Sequence, residues 1–560
     1  MNAPEIAPMI APRVSPLHLV LDRFSSDENL VSRKFPLPFA KGSFAAHRAF
    51  RSAWLDELGR VEFTALSLDG QVDYLLLVRH IRARLAQLDR EERLVAETAP
   101  LLPFASRIAT LHDLRLSGSP PDGRDAAEAL DAIHRDASAA KADLDARRSS
   151  GASLPPLVTV CRALRHAAQL KQALADWFTS FSGFDPLCSW WTAAPHEKAA
   201  KALDDYLAFL RRDLLGEKDD PGAFQPIVGD PIGTDALQAE LASEFIAYSP
   251  DELIRIGQRE FKWCEERLVT ASRDMGCADW RQALERVKND HAAPGGQPEL
   301  VHSLAIEAVE FLERNNLVTI PPLARDSWRF EMIMPAQQKL NPFFWGGESI
   351  GVSFAHATMQ HHEKLMSMRG NNIHFARATV HHELLPGHHL QGFMSERYNR
   401  HRSPFGTAFY CEGWPLYWEM LLWDLGFAKS PENCIGMLFW RLHRAARVIF
   451  SLSFHLERMS PQDCIELLVE RVGHERTNAE AEVRRSFSGD YNPLYQCAYL
   501  IGGLQLRALR HELVDAGSMA NRPFHDAILE ANSMPIELLR ALLTGQQLTR
   551  DHQAQWRFAD

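Results

Sequence analysis

The sequence is short of the features that mark secreted, membrane-spanning and nucleic-acid-binding chains. Its eight cysteines, Cys161, Cys188, Cys264, Cys277, Cys411, Cys434, Cys464 and Cys497, are scattered singly. No two are spaced as a zinc knuckle or a redox couple, which argues against a disulfide framework or a cysteine metal site. They read as reduced, mostly buried small hydrophobes. No stretch approaches the roughly 20 apolar residues that span a bilayer. The opening Met1-Asn2-Ala3-Pro4-Glu5-Ile6-Ala7-Pro8 lacks a basic segment followed by an apolar one, so no secretory signal is visible. The expectation is a cytoplasmic protein with no membrane partner. Positive charge is also scarce: 61 Lys and Arg stand against 72 Asp and Glu, a formal net charge of -11. Without a basic field to neutralise phosphates, a nucleic-acid partner is not expected.

What the chain does have is length and helical texture. Its 560 residues, 46% of them hydrophobic, suffice for a large core and for more than one domain. Apolar residues recur at helical spacing from about Phe44 to Leu116 and again over 125–148, with Gly-, Ser- and Pro-rich breaks at 117–123 and 149–151. Residues 158–182 and 195–215 predict two more helices. Ser249-Pro250-Asp251-Glu252 supplies an N-cap, a first-turn proline and acidic residues for a helix over 250–271. Between 317 and 354 the texture changes. Leu317-Val318-Thr319-Ile320, Trp328–Met334 and Ile350–Phe354 read as short strands of a small sheet beside the helix that follows, with helices resuming from His374. No internal repeat is apparent. The expected division is an N-terminal extension over 1–40, a helical region over 41–300 walling a cleft, and a catalytic region over 301–560.

Chemistry concentrates in Thr379-Val380-His381-His382-Glu383-Leu384-Leu385-Pro386-Gly387-His388-His389-Leu390-Gln391. Zinc hydrolases need imidazole ligands and a carboxylate able to take a proton from an activated water. In the commonest arrangement one helix supplies His-Glu-x-x-His, since positions i and i+4 share a face. Here i+4 from His382 is Pro386, and the next histidine stands at i+6, about 240° around and roughly 9 Å along a regular helix. Pro386 lacks an amide proton and clashes with the preceding turn. Gly387 can take backbone angles closed to other residues. The Pro-Gly insertion is therefore expected to form a bulge that returns His388 to the ligand position, with His389 as the alternative.

A third ligand is expected from Cys411-Glu412-Gly413-Trp414-Pro415-Leu416-Tyr417-Trp418-Glu419. Glu412 is the candidate, and Glu419, two turns on, could accept from an imidazole and orient it. His381 faces away from the ligand side. His356, His361, His362 and Glu363 lack a further histidine at i+4 and read as no second metal site. Gly346-Gly347 suits either a hairpin or a backbone approach to substrate. Arg485 and Arg476 could hold a substrate carboxylate or pair with Glu480 and Glu482.

The string His-Glu-x-x-Pro-Gly-His-His-Leu-Gln, followed by Glu-Gly-Trp-x-x-Tyr-x-Glu, resembles the bacterial "domain of unknown function 885" family, grouped with His-Glu-x-x-His-like metallopeptidases. Ser249–Gly257, Ala481–Arg485 and Pro493 through Tyr499-Leu500-Ile501-Gly502 extend the resemblance over most of 200–545. It departs at Leu494-Tyr495, where the family commonly has Gly-Gln, and at Ser353–His356, where tyrosines are common. The resemblance implies a mainly α, zincin-like helical metallohydrolase with a small mixed β-sheet beside the metal-binding helix. It implies zinc on His382, a histidine of the His388-His389 pair and Glu412, with Glu383 as general base. It also raises Tyr499, near what reads as a Gly502-Gly503 turn, as an oxyanion donor, with Tyr495, Tyr491 or a histidine around His356 as alternatives. His389, Glu419 and Arg485 are then substrate-contacting or supporting residues. The expected activity is hydrolysis of short peptides by a zinc metallopeptidase. The same chemistry would serve a small non-peptide amide or ester, and a non-catalytic metal-binding protein is the third reading.

Overall fold

The computed structural model describes residues 15–119, 121–218, 225–338, 343–487, 489 and 491–559. Across them the chain is mainly helical, with one three-stranded sheet. Two units are distinguished: Arg23–Val61 with Ile81–Asp230, and Glu62–His80 with Pro231–Asp560 and the described residues up to Asp22. The first unit has a helical core in which Leu130 and Ile133 meet Leu170, Trp177, Leu203 and Tyr206. Asp122 caps the helix Gly123–Ser150 and Asp185 caps Pro186–Phe209, each accepting two backbone amides. The latter starts well before the expected residue 195, because Asp185 and Pro186 form a cap and first-turn pair and Pro195 is carried inside the helix.

The second unit carries the sheet. Its strands are β1 (Arg329–Met332), β2 (Phe344–Trp345) and β3 (Ser349–Val352) in the order β1-β3-β2. β1 runs parallel to β3 and β2 antiparallel to it. Ile350 and Val352 pack on Ala376, Val380 and Leu384, which lie along and just beyond the motif helix Ile373–Glu383, and on Val301 and Leu304. The small mixed sheet thus lies beside the helix bearing the histidine motif.

The strand expected at 317–320 does not form. His525 Nδ1 donates to the Leu317 carbonyl at 2.7 Å, and the Asp526 carboxylate accepts from the Thr319 amide at 2.8 Å. Side chains of the helix Asn521–Ala531 thereby satisfy groups that a β-ladder would otherwise use. Helices also resume earlier than expected, at His361–Gly370, where Gln360 and Glu363 form a capping box.

Two helices, Ala408–Asp424 and Tyr495–Arg510, cross backbone against backbone. A Cβ on Gly502 would lie 2.1 Å from the Phe409 carbonyl oxygen and 2.9 Å from Gly413 Cα. Only glycine permits this approach. Gly502 and Gly503 therefore sit inside a helix and not in the expected turn. Pro431–His455 packs on both the motif helix and Tyr495–Arg510 and is buried along most of its length. In the same unit the fully buried Asp73 carboxylate accepts from Arg402 Nε at 2.7 Å and His401 Nε2 at 2.9 Å. Burial alone would raise its pKa, but His401 and Arg402 draw it below the usual carboxylate value. Among the described residues no helix is long and apolar enough to cross a membrane.

Candidate metal centre

Asn372 opens the motif helix by accepting from the amides of His374 and Phe375 at 3.0 and 2.9 Å. Every residue from His374 to Glu383 is buried. The helix ends at Glu383. The Leu385–Pro386 bond is cis, and a separate helix begins at His388. The Pro-Gly pair thus breaks the helix in two where a bulge was expected. Pro386 has no amide to bond, and its carbonyl accepts from Trp414 Nε1 at 2.8 Å. The Gly387 amide donates to the His381 carbonyl at 3.0 Å, in a turn so tight that a Cβ would meet the His382 carbonyl oxygen at 1.7 Å. The break brings the His388 and His382 rings to 5.1 Å between centroids.

His382, Glu383 and His388 offer ligand atoms all within 4.8 Å of one another. Glu412 Oε2 lies 3.9 Å from His382 Nε2 and 3.2 Å from His388 Nε2. Ligand atoms around a tetrahedral zinc with bonds near 2.0–2.1 Å stand about 3.3 Å apart. Glu412 Oε2 is buried without a hydrogen-bond partner among the described residues, while Oε1 accepts from the Tyr495 hydroxyl. His382 Nδ1 donates to Glu419 Oε1 at 2.7 Å. Burial pushes the His382 pKa down to about 3 against the pull of Glu383. A neutral ring with its proton on Nδ1 leaves the Nε2 lone pair facing Glu412 and His388. Burial opposes charge on His388, but Glu412 overcomes it and raises the pKa well above the usual value. Burial likewise opposes charge on Glu412, yet His388 draws it well below the usual carboxylate range. These groups could hold a divalent cation.

The other predicted residues take varied places. His389 Nδ1 meets the Gly347 carbonyl at 3.1 Å and Nε2 meets the Ala324 carbonyl at 2.8 Å, so both nitrogens are engaged away from His382. The backbone at Gly346 runs against Glu383 itself: a Cβ there would lie 2.2 Å from Glu383 Oε2. His381 is buried against Phe427, with neither ring nitrogen bonded among the described residues. Tyr499 stacks near the His382 ring, 6.3 Å between centroids, and its hydroxyl lies 3.4 Å from that of Tyr495. Burial raises its pKa to about 12, with Glu412 adding to the shift and Arg447 opposing it. Arg485 pairs with Glu482 at 2.8 Å. Arg476 pairs instead with Glu466 at 3.0 Å on the surface. Glu363 is held in its capping box, and His356 bonds Thr358.

All of this surrounds a cavity of about 540 Å³. Its lining includes Tyr495, an alternative oxyanion candidate, which touches Glu412, and residues that sequence reasoning gave no site role: Arg444 and Arg447 from the helix Pro431–His455, and Cys411. The cysteines are all free thiols, but only Cys188, Cys264, Cys464 and Cys497 are buried, and Cys411 is exposed to this cavity. The contact of Tyr495 with Glu412 was not foreseen, and the arginines carried no local motif.

The chain belongs to the family described as bacterial protein of unknown function (DUF885), which matches residues 37–543. No curated protein matches it. A solved structure of a candidate lipoprotein of unknown function from Shewanella oneidensis is 17% identical, with a TM-score of 0.70, covering 94% of this chain and 98% of that one. Another, of a candidate lipoprotein from Colwellia psychrerythraea, is 14% identical with a TM-score of 0.58, covering 94% and 97%. At these identities the likeness is one of fold.

Proposed function

We propose that this chain is a zincin-like, zinc-dependent hydrolase that cleaves short peptides. The observation that carries the reading is the approach of His382 Nε2, His388 Nε2 and the partnerless Glu412 Oε2 to one another, with Glu383 beside them. Zinc, when bound there, would supply Lewis acidity toward a water and an amide carbonyl. Glu419 holds the tautomer of His382, and Tyr495 holds the Glu412 carboxylate. Glu383 takes the proton of the attacking water and delivers it to the leaving amine. The Tyr499 hydroxyl, spending its proton on a long 3.4 Å contact, turns to the developing oxyanion, a stronger acceptor. His389, engaged by two carbonyls, braces the turn after β2. The proposal includes a cytoplasmic location, which cell fractionation tests.

The direct experiment is metal analysis of the purified protein together with cleavage of a mixed peptide library with and without chelator. One zinc per chain and chelator-sensitive cleavage are expected. The helical body should stay folded on metal removal, because its core does not depend on the ion. No bound zinc, or cleavage indifferent to chelation, would overturn the reading.

A further inference from the structure

Arg444 is 6% exposed, lines the cavity, and makes no ion pair or hydrogen bond among the described residues. Its guanidinium carbon lies 4.4 Å from the Tyr499 ring centroid and 5.5 Å from that of Trp440. These are aromatic faces, and they do not neutralise it. The buried Glu419 carboxylate feels its charge but makes no ion pair or hydrogen bond to it, and a buried guanidinium whose donors are unmatched is costly and calls for a further acceptor. Beside it, Arg447 and Arg485 share the single carboxylate of Glu482, at 2.6 and 2.8 Å. The carboxylates lining the cavity, Glu383 and Glu412, sit at the histidines. The wall thus gathers three guanidiniums, in the fork geometry that suits a carboxylate, and that of Arg444 makes no hydrogen bond among the described residues.

We infer that this wall, Arg444 foremost, binds the free C-terminal carboxylate of a short peptide. The inference rests on the peptidase reading and sharpens it to cleavage near the C-terminus. Distances of 4.4 Å from guanidinium to Tyr499 and 6.3 Å from Tyr499 to the His382 ring cap their separation at about 11 Å. At roughly 3.5 Å per extended residue, that leaves room for one or two residues beyond the cleaved bond.

The test uses binding, so that it does not depend on turnover. Zinc-loaded Glu383→Gln protein is titrated calorimetrically with an N-acetylated tripeptide of neutral residues, once as the free acid and once as the C-terminal amide. A third arm is an amide ending in glutamate, which carries only a side-chain carboxylate. The acid is expected to bind about 100-fold tighter than either amide, the scale of a desolvated charge pair. Adding Arg444→Gln should erase that preference with little change in melting temperature, since no ion pair or hydrogen bond of the side chain is being removed. If that variant does not fold, Arg444→Lys decides, with the preference cut about tenfold because the bidentate fork is lost. Equal binding of acid and amide, no measurable binding of either, tighter binding of the glutamate amide, or a preference that survives substitution would each overturn the inference. So would a substitution that weakens acid and amide alike, which would mean that Arg444 only props Tyr499. A clear acid preference with no hydrolysis by the wild-type protein would sink the peptidase reading and leave the anion site standing.

Discussion

The crossing of Ala408–Asp424 with Tyr495–Arg510 makes Gly502→Ala a sharp probe of how the site is assembled. The added Cβ would lie 2.1 Å from the Phe409 carbonyl oxygen, whereas carbon and carbonyl oxygen normally approach to about 3.3 Å. Both atoms are fixed to backbone, so no rotamer relieves the overlap and the helices must part by about 1 Å. Overpacking of this kind costs about 1–3 kcal/mol, and a backbone clash belongs at the upper end. Glu412 precedes Gly413 at the crossing point, so parting the helices also shifts its carboxylate from the 3.2 Å contact with His388 Nε2. Metal ligands tolerate only about 0.2 Å, so zinc affinity should fall at least about tenfold. Urea unfolding followed by tryptophan fluorescence suits the measurement, because Trp414 and Trp418 are fully buried in the displaced helix. Gly503→Ala is the control. Its Cβ would meet the Tyr417 amide nitrogen at 3.3 Å and Leu416 Cβ at 3.5 Å, a tight but tolerable fit partly offset by the better helix propensity of alanine. A Gly502→Ala protein with wild-type midpoint and zinc content, or a Gly503→Ala protein equally damaged, would refute the reasoning.

Glu383→Gln should keep zinc and fold yet lose about 10²–10⁴ in kcat, the usual worth of a general base; peptide turnover near wild type would assign proton transfer elsewhere. Tyr499→Phe should lower kcat by about 10² with little change in KM, as for a lost oxyanion donor, whereas Tyr495→Phe should lower zinc affinity as well by freeing Glu412. Identical behaviour of the two variants in a zinc competition assay would dissolve that distinction. Asp73→Asn removes the buried carboxylate under Arg402, leaving it the half-exposed Asp69 at 3.0 Å, and should cost about 3 kcal/mol. Because the folded pKa of Asp73 lies below its unfolded value, its contribution is full above the unfolded value of about 3.9 and is lost as pH falls through the folded one. Denaturation from pH 7 to pH 3 should therefore show the gap between wild type and Asp73→Asn closing on the acid side; a constant gap would mean that the charge is not what stabilises.

The parts of this protein legible in its sequence are those that local chemistry determines. Ser249 and Glu252 announced a helix start and form a capping box there. The 3.6-residue periodicity located the helices, and alternation located β1 and β3. That His382, Glu383, His388 and Glu412 would come together was legible from residue types and a spacing that metal chemistry uses, and the fold does bring them together. Where reading failed, a distant group had taken over a local preference. Leu317–Ile320 has strand composition, but His525 and Asp526, some two hundred residues on, take its backbone groups. Gly502-Gly503 has turn composition, but Phe409 and Gly413 demand a bare helix face. Pro386-Gly387 announced a distortion and was expected to bulge the helix, but the helix breaks there, and the distant Trp414 takes the Pro386 carbonyl.

Arg444 marks the limit of such reading. In sequence it is one of several arginines on a helix whose ordinary fate would be a solvated face or an ion pair. Arg441 on the same helix pairs with Glu260 at 2.7 Å, and Arg447 pairs with Glu482. Arg444 becomes distinctive only once the fold has given its neighbours ion-pair contacts and left it with the longer-range charge of Glu419 alone. The signal is thus a mismatch between charges brought together by tertiary structure, and no spacing rule encodes it. The same mismatch runs through the whole site. Glu412 Oε2 has no hydrogen bond beyond its 3.2 Å contact with the His388 ring, and Arg444 makes none, both buried on one cavity. A cation at the first and an anion at the second would satisfy both, which is what the proposed reading supplies.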